Sequence, residues 1–420
     1  MKRRIISLII ALFLLLALTA CANVENDQMA ESSVTETDTG VKQENKLPAP
    51  GTNASVLDGK KVIFVGCSYT YYGYIVHQGA MYQDSQNKVL SQEERSNDQA
   101  FFYQLCKANG AEVSVTDWTF GGHDLTDLFD GHCDADRGHD GYNHLEDLVD
   151  REFDYVILQE IQVPGGWTPE RYLQNVKEIM DFFREANPDV KFFYTIHDGV
   201  YTQNYNAPWK KSIRLIEEAG VTIIDWGTLA WDVWTGVEEV PGAEQPYNKN
   251  SFIVSRVEGD GYHPNPLSGY LNTLMTYCAI TGETAVGQPY SFCTSEPDML
   301  EKFKRSYYRW DDRNTEEDER KTNFVEILSS EADMKGLQTL ADRYLEEDTK
   351  VSAEYTVTFK NDDGSVIKEN TLRYGDKIPA PAVDPRKPGE TSDAYSFVGW
   401  DKEIGFCVGN ETYTAVFEKK

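Results

Sequence analysis

The chain has 420 residues and a formal net charge of −29, with 69 Asp and Glu against 40 Lys and Arg. A surface this acidic repels phosphate backbones, which excludes nucleic acid as a partner and leaves neutral ligands such as sugars or their esters as the better fit. The seven cysteines (Cys21, Cys67, Cys106, Cys133, Cys278, Cys293 and Cys407) form no C-x-x-C pair, so their spacing implies neither a zinc site nor a disulfide framework.

The elements begin with a basic start, Lys2-Arg3-Arg4, followed by an uncharged apolar run from Ile5 to Leu18. That run is shorter than the roughly 20 residues a bilayer span needs, and with small residues after it the pattern is a signal peptide. Leu18-Thr19-Ala20-Cys21 resembles a bacterial lipobox. The resemblance implies that residues 1–21 are the signal, that Cys21 is lipidated, and that the protein is extracellular and held on the bacterial cell membrane. Two or more acyl chains would anchor it stably. Residues 22–58 follow, rich in Glu, Asp, Ser, Thr and Asn, with no aromatic before Pro50. Such a stretch cannot bury enough apolar surface to offset its ordering entropy and is expected to be a flexible tether.

From 59 to 289 strand-like and helix-like segments alternate. Strands are predicted at Lys61–Gly66, Glu112–Asp117, Asp154–Gln159, Val190–Ile196 and Val221–Trp226. Helices are predicted at Gln99–Asn109, Pro169–Ala186, Pro208–Ala219 and Pro266–Thr281. Thr168 and Asn265 cap the second and fourth, and Gly110, Gly220 and Gly282 follow the first, third and last. This alternation predicts an α/β domain with a parallel sheet covered on both faces and a site beyond the carboxyl ends of the strands. Residues 290–350 are charged and helical in pattern and are expected to be an extension packed on the domain, then a linker.

At Tyr355 the chain changes character. Tyr355-Thr356-Val357-Thr358-Phe359 alternates as a half-buried strand does, and Asn361-Asp362-Asp363-Gly364 reads as a turn. With Tyr374-Gly375-Asp376, Phe397-Val398-Gly399-Trp400 and the closing Tyr413-Thr414-Ala415-Val416-Phe417, residues 355–418 resemble the internalin-B-type (Listeria–Bacteroides) repeat. That resemblance implies a small all-β surface module, not a catalyst.

An ester hydrolase needs a nucleophile, a base, a group to orient the base, and donors for the oxyanion. Gly66-Cys67-Ser68-Tyr69-Thr70 places a Ser directly after the first strand, where it would project into the crevice. Asp260-Gly261-Tyr262-His263-Pro264-Asn265 places an Asp three residues before a His, close enough to meet one ring nitrogen and leave the other for Ser68. Each motif alone is weak. Together, with Gly269-Tyr270-Leu271 after the second and Asp154-Tyr-Val-Ile-Leu-Gln-Glu at the third strand, residues 60 to 285 resemble the GDSL/SGNH hydrolases. The resemblance implies a three-layer α/β/α sandwich of flavodoxin-like type. It also implies Ser68, Asp260 and His263 as triad, and an oxyanion hole from the Ser68 N–H, the N–H of Gly122 in Gly121-Gly122-His123, and a side-chain amide. The family's Gly-x-Asn-Asp is absent, so Gln159 or Gln162 would supply that amide, with Gln159 preferred. Cys67 stands where the family has Asp or Asn, and its thiol cannot brace the turn as a carboxylate would.

Several side chains remain open to two readings. His123, Asp124, His132, Cys133, Asp134, Asp136, His139, Asp140 and His144 match no standard metal spacing and are expected to form a polar loop, with His123 beside the substrate. Trp167, Trp209, Trp226, Trp231 and Trp234 lie on or near the carboxyl-end loops. As a group they favour a carbohydrate substrate, though each singly is the stuff of a core. No cofactor is called for. The expectation is a surface-anchored serine esterase that removes small acyl groups from carbohydrate. Alternatives are a lipase or thioesterase on the same fold, or an inactive glycan-binding or adhesion protein.

Overall fold

The computed structural model describes residues 47–70, 91–96, 98–120, 123–130, 144–160, 167–197, 207–253, 263–294, 323–346, 353–373, 376–389, 394–407 and 409–420. The signal and Cys21, most of the tether, Gly121, Gly122, Gln162, Asp260, Tyr374, Gly375 and the polar loop from His132 to Asp140 lie outside the described residues.

Five strands form one parallel sheet: β1 (Lys60–Gly66), β2 (Val113–Thr119), β3 (Tyr155–Gln159), β4 (Lys191–Thr195) and β5 (Thr222–Ile224), in the order β2-β1-β3-β4-β5. Their side chains alternate between two cores, as the pleat requires. Val62, Phe64, Tyr155, Ile157 and Phe193 enter one, and Ile63, Val65, Val156, Leu158 and Tyr194 the other. The strands read as continuous apolar runs because both faces are covered.

On the first face lie α1 (Phe101–Ala108), α5 (Trp226–Thr235) and α7 (Pro266–Thr281). On the second lie α2 (Leu125–Asp130), α3 (Pro169–Arg184) and α4 (Ala207–Glu218). The short α6 (Lys249–Phe252) precedes His263 in the chain. The fold is thus the expected α/β sandwich. The strand order reverses at β1, with β2 on one side and β3 on the other, which opens a crevice at their carboxyl ends.

One strand is shorter than its sequence pattern. The apolar run Val221–Trp226 yields only Thr222–Ile224, because Asp225 caps a helix there. Its carboxylate accepts the Thr228 N–H at 3.1 Å and the Thr228 hydroxyl at 2.6 Å. Trp226 then enters the core instead of a loop at the crevice.

Helix α7 is buried on nearly every side, because α8 (Phe324–Ser329) and α9 (Glu331–Glu346) cover it from outside. The Gln338 amide stitches the layers: Nε2 donates to Tyr270 Oη at 2.7 Å and to the Gln288 carbonyl at 2.8 Å, while Oε1 accepts the Gly287 N–H at 2.8 Å. Asp333, wholly buried on α9, accepts from Glu244 N–H, Gln245 N–H, Tyr247 Oη and Ser330 Oγ at 3.1, 3.3, 2.9 and 2.6 Å. It thereby holds the segment that leads into α6.

The C-terminal module is a separate four-stranded sheet of β6 (Glu354–Lys360), β7 (Val366–Arg373), β8 (Tyr395–Trp400) and β9 (Glu411–Lys419), in the order β7-β6-β9-β8. Val357, Phe359, Ile378, Cys407 and Tyr413 form its core. It is joined to α4 by ion pairs. Arg214, nearly buried, reaches Asp376 at 2.6 Å, and Arg373 reaches Glu218 at 2.6 Å. Because α4 runs from the carboxyl end of β4 to the amino end of β5, these pairs lie towards the sheet's amino edge, away from the crevice.

Candidate active site

Ser68 follows β1 by two residues, at the start of a helical turn in which the Thr70 N–H donates to the Cys67 carbonyl at 2.9 Å. His263 lies just before α7. Its backbone is held by Asn265, whose side-chain oxygen accepts the N–H groups of Leu267 and Ser268 at 3.0 and 3.3 Å as the helix cap. Asn265 Nδ2 donates to the Ser251 carbonyl at 2.8 Å, and the Asn265 N–H to the Phe252 carbonyl at 3.0 Å. The isolated bridge between Ile253 and Pro264 closes the same corner.

The result is a hydrogen bond between His263 Nε2 and Ser68 Oγ at 2.8 Å, across 195 residues of sequence. Ser68 is 6% and His263 7% exposed, so the pair sits in a recess where water competes little. The predicted nucleophile and base are therefore brought together. Asp260 and Gly122, predicted beside them, lie outside the described residues.

Gln159 ends β3, next to Gly66 on β1. A side chain at Gly66 has no room. A Cβ there would meet Thr70 Oγ1, and would come within 2.9 Å of the Gln159 carbonyl and 3.3 Å of its Cβ. Glycine is thus required by close approach of two neighbours and not by an unusual φ. Thr70 Oγ1 donates to Gln159 Oε1 at 2.6 Å. Gln159 Nε2 is buried and makes no hydrogen bond.

Three further groups surround the pair that the sequence pattern does not single out. The Tyr69 ring lies between two imidazoles, stacked on His197 at 4.2 Å and tilted against His263 at 5.1 Å. His197 follows β4 by two residues and is wholly buried. Glu160, directly after Gln159, accepts the Leu125 N–H at 2.5 Å and so ties the start of α2 to the end of β3. The available signal was position: each of these residues lies within two of a predicted strand's carboxyl end or of Ser68 itself.

Cys67 is buried, and burial, reinforced by the negative charge of Glu160, pushes its thiol up to a range where it stays protonated at neutral pH. It is no competitor for Ser68. Cys67→Ser is accordingly expected to keep kcat within about threefold of wild type, since an inert buried thiol contributes packing and not nucleophilicity. A steady-state assay with p-nitrophenyl acetate checks this, and a loss as deep as that of a Ser68 variant would contradict it.

His123 is buried with its ring edge-on to Phe120, 6.2 Å between centroids. Among the described residues, no group of three His, Cys, Asp or Glu side chains is placed to hold a metal ion. Of the tryptophans, Trp231 and Trp234 pack on each other at 5.0 Å, with Trp234 against Phe252. Trp167 carries the Arg171 guanidinium 3.9 Å above its ring. A cavity of about 610 Å³ lies beside β5, between Glu217, Thr222, Asp225, Met275 and Tyr344, and includes neither Ser68 nor His263.

No protein-family model matches the chain, and a search of curated proteins gave no match. Solved structures are similar at low identity. A DUF4886 family protein from Bacteroides uniformis is 17% identical over 62% of this chain and 99% of its own, with a TM-score of 0.32. A family two carbohydrate esterase from Clostridium thermocellum, in complex with cellohexaose, is 12% identical over 51% of this chain and 61% of its own, with a TM-score of 0.31. A carbohydrate esterase family 2 enzyme with a carbohydrate binding domain from Corynascus thermopiles is 16% identical over 56% and 67%, with a TM-score of 0.31.

Proposed function

We propose that this protein is a serine ester hydrolase that works through an acyl-enzyme, and that its substrates are small acyl esters, acetyl above all, on carbohydrate. The observation that carries the reading is the 2.8 Å hydrogen bond between Ser68 Oγ and His263 Nε2 in a recess at the strand-order reversal. A serine hydroxyl is a weak nucleophile unless a base takes its proton as it attacks. His263 Nε2 is within hydrogen-bond reach to do so.

In the first step Ser68 Oγ attacks the ester carbonyl while His263 accepts its proton. The carbonyl oxygen becomes negative and is held by the Ser68 N–H, the Gly122 N–H and the Gln159 amide. His263 then protonates the leaving alcohol. Water, deprotonated by His263, attacks the acyl-enzyme and releases the acid. Asp260 orients the imidazole and stabilises its cationic form. The carbohydrate preference is supported by the acidic surface, which disfavours anionic substrates. Lipidation at Cys21 would hold the enzyme on the outer surface of a bacterial membrane, where acylated glycans are within reach.

An aryl fluorophosphonate tests the reading directly. It should label Ser68 in the full chain, with the adduct mapped by mass spectrometry, and the protein should release acetate from acetylated polysaccharide. Absence of the Ser68 adduct would sink the hydrolase reading. Faster turnover of long-chain than of acetyl esters would sink the acetyl preference alone.

A further inference from the structure

The Gln159 side chain poses a problem that the fold does not solve. Its Nε2 carries two N–H donors, is shielded from solvent, and has no acceptor. Leaving a buried donor unmade is costly, and such groups in folded proteins call for an explanation. Yet the other end of the same amide is satisfied, by the hydroxyl of Thr70 at 2.6 Å in a bond that is itself buried. One end is clamped, and the unclamped end is the donor.

We propose that Thr70 is a positioning residue that fixes the Gln159 amide with its NH2 group presented to the oxyanion. The proposal rests on the acyl-enzyme reading above and extends it to the residue that aims one of its donors. Thr70 and Ser68 share one helical turn, so the clamp and the nucleophile move as a unit. Gly66 allows the clamp: with any side chain there, Thr70 Oγ1 and Gln159 could not approach each other. Orientation matters because an amide has two unlike ends of similar shape. With Oε1 held by the Thr70 hydroxyl, the NH2 end meets the oxygen that becomes negative. With the amide turned over, a carbonyl oxygen would face that charge and oppose it. The unmet donor of the resting protein finds its acceptor only as the tetrahedral intermediate forms, which is the condition for lowering the barrier and not merely tightening binding.

The test is a double-mutant cycle in the full chain with p-nitrophenyl acetate. Gln159→Ala should lower kcat about 10²-fold, as loss of one oxyanion donor does. Thr70→Val, which keeps the shape and removes the hydroxyl, should lower kcat about 10-fold with KM within about twofold, because an unclamped amide spends part of its time turned over. Thr70→Ser should restore kcat. In the Gln159→Ala background, Thr70→Val should cost nothing further, because the residue it acts through is gone. Thr70→Ala carries the same expectation if the Val variant does not fold, and unfolding midpoints accompany every variant. The proposal is overturned by an unchanged kcat in Thr70→Val, by a change in KM instead of kcat, or by losses that multiply in the double variant. Fluorophosphonate labelling separates this from failure of the parent reading. A labelled Ser68 with a fully active Thr70→Val removes only the clamp, whereas an unlabelled Ser68 and equal background rates in all variants remove the hydrolase reading and the clamp with it.

Discussion

Ser68→Ala and His263→Ala are each expected to lower kcat for p-nitrophenyl acetate by about 10³-fold or more, and to nearly the same residual rate, because nucleophile and base act as one device. Without His263 the Ser68 proton has no acceptor at 2.8 Å. Without Ser68 the imidazole has nothing to activate but water. The double variant should therefore be no slower than the slower single one. Both side chains are small parts of a recess whose frame is built elsewhere, from Asn265, Gly66 and the ends of β1 and β3. Unfolding midpoints in urea should accordingly stay close to wild type. A residual rate in Ser68→Ala equal to that of the wild type would show that turnover, if seen, arises at another site.

The largest effect on stability is expected far from that pair. Asp333→Ala should destabilise the fold by about 3 kcal/mol or more, read from urea unfolding, because it strips the acceptor from several donors at once. These are the Glu244 and Gln245 N–H groups and the Tyr247 and Ser330 hydroxyls. The Tyr247 hydroxyl already titrates well above its ordinary value, through burial first and then the Asp333 charge. Gly336, one turn along α9, is packed so closely on Pro241 and Val240 that a Cβ there would lie 2.6 Å from Val240 Cγ1. Residues 244–248 lead into α6, and the α6 carbonyls hold Asn265, two residues from His263. The same substitution should thus lower kcat modestly while leaving residual activity dependent on Ser68. A variant as stable as wild type would show that the carboxylate is dispensable to this corner.

Much of this architecture was legible in the residues, and the reason is local. β1 and β3 are apolar runs of strand length. Helix α7 begins at a Pro after an Asn cap and ends at Gly282. Such signals lie within a few residues of one another and survive in any fold. Where the pattern misled, two local signals competed. Thr222-Ile223-Ile224-Asp225-Trp226 reads as one strand by hydropathy, but the Asp225 carboxylate reaches Thr228 and begins a helix. At the site, Ser68 and His263 could be named because each sits in a short motif. Tyr69 between two imidazoles, Thr70 on Gln159 and Glu160 on Leu125 could not, since each contact joins strand ends far apart in sequence. Those pairings exist only once the sheet order is known.

The ion pairs between α4 and the C-terminal sheet bear on how this chain could be cut and recombined. By composition the module is a cassette, exchangeable at the charged stretch before it. Physically its removal strands Arg214, whose guanidinium is almost buried and draws its charge compensation chiefly from Asp376. A graft that ends the chain near residue 350 therefore alters the α/β body as well as its appendage. A foreign module joined there would inherit a docking face already wired for an Asp and an Arg at fixed positions. Domain shuffling in this lineage would have to carry α4 and the module together, or rewrite both sides of the seam at once.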